Sequence, residues 1–259
     1  MGGRGATSSS GRFGAMSGAT VQLQADSSTQ VDNTQAASAF SADYDAFMAM
    51  SDDEKADFIG ASIAQGVPAH LAQNDFQRFV YHSGLNDKPD VVDDATLDTM
   101  TGTEVFRTVN SVYDRSNDIS YSADQIAKQV MAGKTTRVSD NGGSVYGRGI
   151  YFADDYNGST AYGSTSGSVK KTAVMRGKLN ASAKVVNYNT ARQGVSREIA
   201  SGSKLGKVLR SCDSDSQVSI YAMSKGFNVI SSGHGYLNVL NRGAITMSSD
   251  VKAKSSRWK

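Results

Sequence analysis

The chain has a single cysteine, Cys212, among its 259 residues, so no disulfide can form within it. Its three histidines, His70, His82 and His234, are far apart, and no Cys/His group has the spacing of a zinc site. No metal is therefore expected. No apolar run approaches the ~18 residues that a membrane-spanning helix needs, and no membrane partner is expected. The first 30 residues have no apolar stretch of the kind a secretory leader carries. The compartment expected is a reducing cytoplasm, that of a bacterial or phage-infected cell, with carriage in a virion as a variant. One-sided charge is absent as well. A formal net charge of +2 is too small to argue for a nucleic-acid or membrane surface, and no basic–aromatic cluster marks a nucleic-acid groove.

What is present suits a globular protein: 39% of residues are hydrophobic and 20% are charged. Residues 1–38 are rich in Gly, Ser, Thr, Gln and Ala and bury too little apolar surface to offset chain entropy. This segment reads as a flexible arm. Residues 39–100 read as a small helical subdomain. Ser51-Asp52-Asp53-Glu54 is a capping box ahead of Phe58, Ile59 and Ile63. Gly66-Val67-Pro68 stops that helix, and Leu71, Phe76, Phe79 and Val80 predict a second one closed near Gly84.

From Thr103 the texture changes to short runs of β type: Val105–Val109, Gly149–Ala153, Thr172–Leu179, Lys184–Tyr188, Phe227–Ile230, Leu237–Asn241 and Ala244–Met247. Two helices are predicted between them, one capped by Ser122 and ending at Gly133, the other capped by Ser214 and ending at Gly226. Residues 101–259 are thus expected to form a mixed α+β domain with mainly antiparallel pairing.

The stretch Tyr146-Gly147-Arg148-Gly149-Ile150-Tyr151-Phe152-Ala153-Asp154 is the most informative. Taken alone, a Gly-x-Gly beside a strand reads as a turn, and its spacing is not that of a dinucleotide fingerprint. Glycine here also lets backbone approach a flat ligand. Tyr151 and Phe152 point to opposite faces of a strand, so one can meet a ligand while the other fills the core. Ser159 and Tyr162 follow, three apart. Tyrosine faces suit a flat cationic ring and a serine hydroxyl suits an amide.

This pattern resembles the nicotinamide pocket of the ADP-ribosyltransferase superfamily, in its poly(ADP-ribose) polymerase and diphtheria-toxin-like branch. The resemblance covers roughly residues 101–247 and is specific only around the motif. It implies a split antiparallel β-sheet core and NAD as co-substrate. It implies further that Tyr151 and Tyr162 sandwich the nicotinamide ring, that Ser159 and the backbone of Thr108 hold its amide, and that Gly147 and Gly149 shape the pocket. The net reaction implied is cleavage of the nicotinamide–ribose bond and transfer of ADP-ribose to a macromolecule, a protein rather than a nucleic acid, or to water.

Two residues depart from the pattern. Where that branch has His on its first strand this chain has Arg107, similar to the cholera-toxin-like branch, where an arginine braces the dinucleotide. Where the family has a late-strand glutamate, this chain has Asn238, which carries no charge to stabilise an oxocarbenium-like transition state. Either Asn238 serves, or a carboxylate comes from elsewhere, Glu198 being the loop candidate; its plainer reading is a solvated charge on a helix face. The candidate catalytic residues are thus Arg107, Tyr151, Asn238 and Glu198. Ser164-Thr165-Ser166 spells a cholera-toxin-like triplet but lacks the flanking strand pattern. His234 and Cys212 read as an exposed histidine and an inert thiol. A catalytically inactive nucleotide-binding module and a virion-associated structural protein stand as the alternatives to an enzyme.

Overall fold

The computed structural model describes residues 44–66, 74–85, 87–114, 119–133, 145–161 and 172–253. They belong to one compact unit, Thr34–Lys259. The expected arm at 1–38, Tyr162 and the Ser164–Ser166 triplet lie outside the described residues.

The N-terminal helices begin where local chemistry dictates. A helical run at residues 44–49 (α1) precedes α2, Asp52–Ala64. Ser51 accepts from the Glu54 N–H and Glu54 accepts from the Ser51 N–H, the reciprocal pair expected of the sequence. α3, Asp75–Ser83, is capped by Asn74 and closed by Gly84 in the left-handed region. The faces these helices bury do not form a core of their own. Phe47, Ile59, Phe76 and Phe79 pack with Leu205, Leu209, Val218 and Met223 from the C-terminal part. Nor is the 39–100 segment all helical. It contains β1, Asp90–Val92, and α4, Asp94–Thr99, and β1 joins the main sheet.

The remaining strands are β2 (Glu104–Asn110), β3 (Val112–Asp114), β4 (Ile119–Tyr121), β5 (Ile150–Ala153), β6 (Thr172–Leu179), β7 (Val185–Asn187), β8 (Val229–Ser231), β9 (Tyr236–Val239) and β10 (Ile245–Ala253). β3 and β4 form a separate two-stranded ribbon, and the other eight form one open sheet in the order β1-β10-β6-β2-β5-β9-β8-β7. Its interior pairings are antiparallel, as expected, but both edge pairings, β1 with β10 and β7 with β8, are parallel. Parallel neighbours need a crossover, and helices supply the β7-to-β8 one.

Those helices correct the expectation of only two after residue 103. α5 (Ala123–Met131), α6 (Tyr156–Ala161), α7 (Tyr188–Ser201), α8 (Lys204–Ser211) and α9 (Ser214–Ser224) are all present. α7 escapes the sequence pattern because its buried residues are the small Ala191, Gly194 and Val195. Gly194 looks like a helix breaker, yet a Cβ there would lie 2.2 Å from the Tyr221 ring, so close contact between α7 and α9 requires it. Ser122 caps α5 in a full capping box. α9 is capped one residue earlier than expected, by Asp213, whose carboxylate accepts from the Ser216 N–H.

The sheet is unequal along its width. β2 pairs with β6 at seven residues and β5 with β9 at four, whereas β2 and β5 meet only at Phe106–Ala153. The middle of the sheet is therefore a seam at which its two halves part. Val105, Val109, Ile150 and Phe152 share one core with α5. Strand alternation puts Arg107 on that face and Phe106, Thr108, Tyr151 and Ala153 on the other.

Candidate functional site

The seam brings together several of the residues singled out in the sequence. Asp155 accepts from the Gly158 N–H at 2.8 Å and starts α6 just after β5. The short helix then lies against β2. Tyr156 meets Phe106 edge to face, with ring centroids 6.1 Å apart, and Ser159 turns inward. The Ser159 hydroxyl sits 2.9 Å from that of Thr108, and Ser159 is only 3% exposed. Arg107 is buried, and its Nη1 donates to the Tyr151 carbonyl oxygen at 2.7 Å, linking β2 to β5 just beyond their single residue pair.

Tyr151 faces the same side as Thr108, half-buried. Its hydroxyl accepts from the Tyr146 N–H at 2.8 Å and donates to the Gly147 carbonyl at 2.7 Å. Burial pushes its pKa well above the usual tyrosine value, against the pull of the Tyr146 N–H, so it stays a neutral donor. Tyr146 stands beside it with ring centroids 6.5 Å apart, and Tyr188, at the start of α7, meets Tyr146 edge to face at 5.4 Å. Neither Tyr146 nor Tyr188 was singled out as a site residue in the sequence. Tyr188 is 42 positions from Tyr146, and no local pattern links them.

The segment 146–149 is held from three sides. Besides Tyr151, Ser219 of α9 donates to the Arg148 carbonyl at 2.6 Å. Asn238 donates its amide to the carbonyls of Tyr146 and Arg148, at 3.0 and 3.2 Å. The Arg148 side chain pairs with Asp213 and Asp215. These contacts give the two glycines a use within the chain. A Cβ on Gly149 would lie 2.0 Å from Asn238 Oδ1, and one on Gly147 would lie 2.7 Å from Ser219 Oγ. Both glycines also have positive φ, 92° and 153° for Gly147 and Gly149.

Two expectations are corrected here. Asn238 does lie opposite Tyr151, on the same face, but it is 1% exposed and its amide is engaged by the 146–148 backbone. Its amide anchors the 146–148 backbone. Among the described residues its buried Oδ1 has no hydrogen-bond partner, and it lies against Gly149. Glu198 is within α7 and not in a loop. It pairs with Lys225 at 3.2 Å and accepts from the Ser203 hydroxyl at 2.7 Å. Ten residues separate it from Tyr188, about 15 Å along the helix, so it is not brought to the seam. His234 is exposed. Cys212 is buried, and its thiol is pushed up to about 12, mainly by burial and then by Asp75 and Asp213, which leaves it protonated.

Among the described residues, no group of three or more His, Cys, Asp or Glu is placed to hold a metal ion, and no helix is long and apolar enough to cross a membrane. Compared with protein-family models, curated proteins and solved structures, the chain matches none.

Proposed function

We propose that the chain is an NAD-dependent ADP-ribosyltransferase, which breaks the nicotinamide–ribose bond and passes ADP-ribose to a macromolecular acceptor, a protein rather than a nucleic acid, or to water. The observation that carries this reading is the meeting of Ser159 with Thr108 at the seam, beside the strand that bears Tyr151. The resemblance implies an amide-binding hydroxyl at Ser159 and a ring-stacking tyrosine at Tyr151, and the two lie beside the β2–β5 seam on the face that Thr108 shares. In this reading the ring lies against Tyr151, with Tyr162 as the second wall, and its amide turns to the hydroxyls. The C–N bond breaks with its electron pair passing to the ring nitrogen, and nicotinamide leaves neutral. The acceptor oxygen or nitrogen then adds at the ribose carbon and loses a proton. Positioning and electrostatics supply the catalysis. Arg107, bonded to a backbone carbonyl, acts in this reading by holding Tyr151 in place.

A second reading is favoured by the environment of Asn238. With that side chain buried in loop contacts, the family's carboxylate has no replacement at its own position, which suits a non-catalytic nucleotide-binding module. Incubation of the full chain with NAD separates the two. Free nicotinamide, or protein heavier by one ADP-ribose, supports the enzyme. A rise in melting temperature without either supports the module. No change of any kind removes both.

A further inference from the structure

Charge is spread unevenly over this chain. From Tyr188 to Ser211, the helices α7 and α8, there are five basic residues and one acidic residue, a net +4, whereas the whole chain carries only +2. The single acid, Glu198, is engaged by Lys225 and the Ser203 hydroxyl and pairs with none of the five. Lys204 pairs with Asp57 of α2 at 3.1 Å. Arg192, Arg197, Lys207 and Arg210 are exposed, and among the described residues none of them pairs with a carboxylate. The two helices form one surface. A Cβ on Gly206 would lie 2.0 Å from the Glu198 carbonyl oxygen, so they cross too closely for any side chain there. Across that junction Arg210 donates to the Ile199 carbonyl at 3.0 Å. Lys207 and Arg210, three apart, share one side of α8.

We propose that this basic face of α7 and α8 is a docking surface for an acidic segment of a protein partner. The inference does not depend on NAD chemistry and holds for a transferase or an inert module alike. Three of the four unpaired cations are arginines, whose planar fork pairs with a carboxylate in two places. A neighbouring helix decides between partner classes. α2 lies against α8, with Gly60 facing Val208, and carries exposed Asp52, Asp53, Glu54 and Asp57. These carboxylates border the basic face and repel a broad polyanion such as duplex nucleic acid. A narrow acidic chain can follow the cations and keep clear of them. The face also starts beside the seam. Tyr188, the first residue of α7, meets Tyr146, and Arg192 lies one turn on, about 6 Å along the axis. A protein segment held on α7 therefore has one end next to the tyrosines around Tyr151.

The test uses the full chain and a fluorescein-labelled decapeptide of alternating Glu and Ser, followed by fluorescence anisotropy. The peptide should bind at about 20 mM salt and bind more weakly at about 150 mM, as exposed charges are screened. The same peptide with Gln in place of Glu should not bind. Arg197→Gln combined with Lys207→Gln should weaken the acidic peptide about tenfold, the scale of two exposed ion pairs. Lys88→Gln combined with Lys128→Gln removes the same charge from exposed positions outside the helix pair, and should change binding by less than about twofold. All four side chains are exposed, so neither double variant should alter the melting curve. A short DNA duplex, added as competitor at equal total charge, should displace the labelled peptide less than unlabelled peptide does. No binding of the acidic peptide, equal binding of the Gln peptide, or an equal loss in the two double variants overturns the docking surface. Stronger displacement by the duplex overturns the choice of a protein and assigns the face to nucleic acid.

Discussion

The Arg107 guanidinium donates to the main-chain carbonyl of Tyr151 at 2.7 Å across the one place where the sheet is held by a single residue pair. A buried cation bridging two strands at their narrowest junction is part of the fold, whatever else it does. Arg107→Met should therefore lower stability by about 1.5–3 kcal/mol, the range for a hydrogen bond to a charged group, as read by urea denaturation. Arg107→Lys should not restore it, because a single ammonium does not reproduce a planar fork. An arginine that only braced a dinucleotide would, when replaced, change NAD affinity and leave the urea midpoint where it was.

The burial of Asn238 fixes the sign of a second expectation. If the site were open, the ADP-ribosyltransferase resemblance would lead one to expect a glutamate here to raise activity. In this structure Asn238→Glu puts a longer, charged side chain against two carbonyl oxygens and Gly149. The variant should lose stability by about 3 kcal/mol or more, the cost of an unpaired buried charge, and gain no nicotinamide release. An active, equally stable Asn238→Glu would show that the loop moves aside and that the site is the ribose position after all.

Tyr151 separates its two roles by substitution. Tyr151→Phe keeps the ring but removes the hydroxyl that ties Tyr146 and Gly147. Melting should fall, by about 1 kcal/mol for each lost hydrogen bond, while nicotinamide binding largely persists. Tyr151→Ala should in addition weaken nicotinamide binding by about fivefold or more, since stacking on an aromatic face contributes about 1 kcal/mol or more. Equal nicotinamide affinity in both variants would make Tyr151 a structural residue alone.

Glu198 should be silent in chemistry. Glu198→Gln breaks a part-exposed pair with Lys225, which is worth less than about 1 kcal/mol, and nicotinamide release should be unchanged. Loss of release with an unaltered melting curve would return Glu198 to the site.

Asp87 gives a pH signature remote from the seam. Burial raises its carboxyl from 3.8 to about 6. The Asn241 amide pulls the other way and Asp90 adds a small push. The folded pKa lies above the unfolded one, so the native state holds a proton that the unfolded chain has already released. Stability should then fall as pH rises from about 4 to about 6 and level off above that. Asp87→Asn should flatten this stretch of the stability profile. A wild-type profile already flat there would show that Asp87 ionises normally.

The parts of this protein legible in its sequence are those set by neighbours along the chain. The Ser51–Glu54 and Ser122–Gln125 capping boxes are bonds between residues three apart, and they start α2 and α5 where the letters place them. β6 runs over Thr172–Leu179 as its apolar pattern predicts. The glycines at 147 and 149 announce an unusual backbone, and both have positive φ. What those glycines make room for is not local: Asn238 and Ser219 come from β9 and α9. Only tertiary structure decides that the sheet parts between β2 and β5, that Arg107 closes the gap, and that Thr108 meets Ser159 from 51 residues away. It likewise engages Asn238 with a loop and Glu198 with Lys225, two side chains whose residue types suited chemistry equally well. A residue's donors, acceptors and charge are fixed by its type, but which partner engages them depends on strands and helices that meet only after the chain has folded.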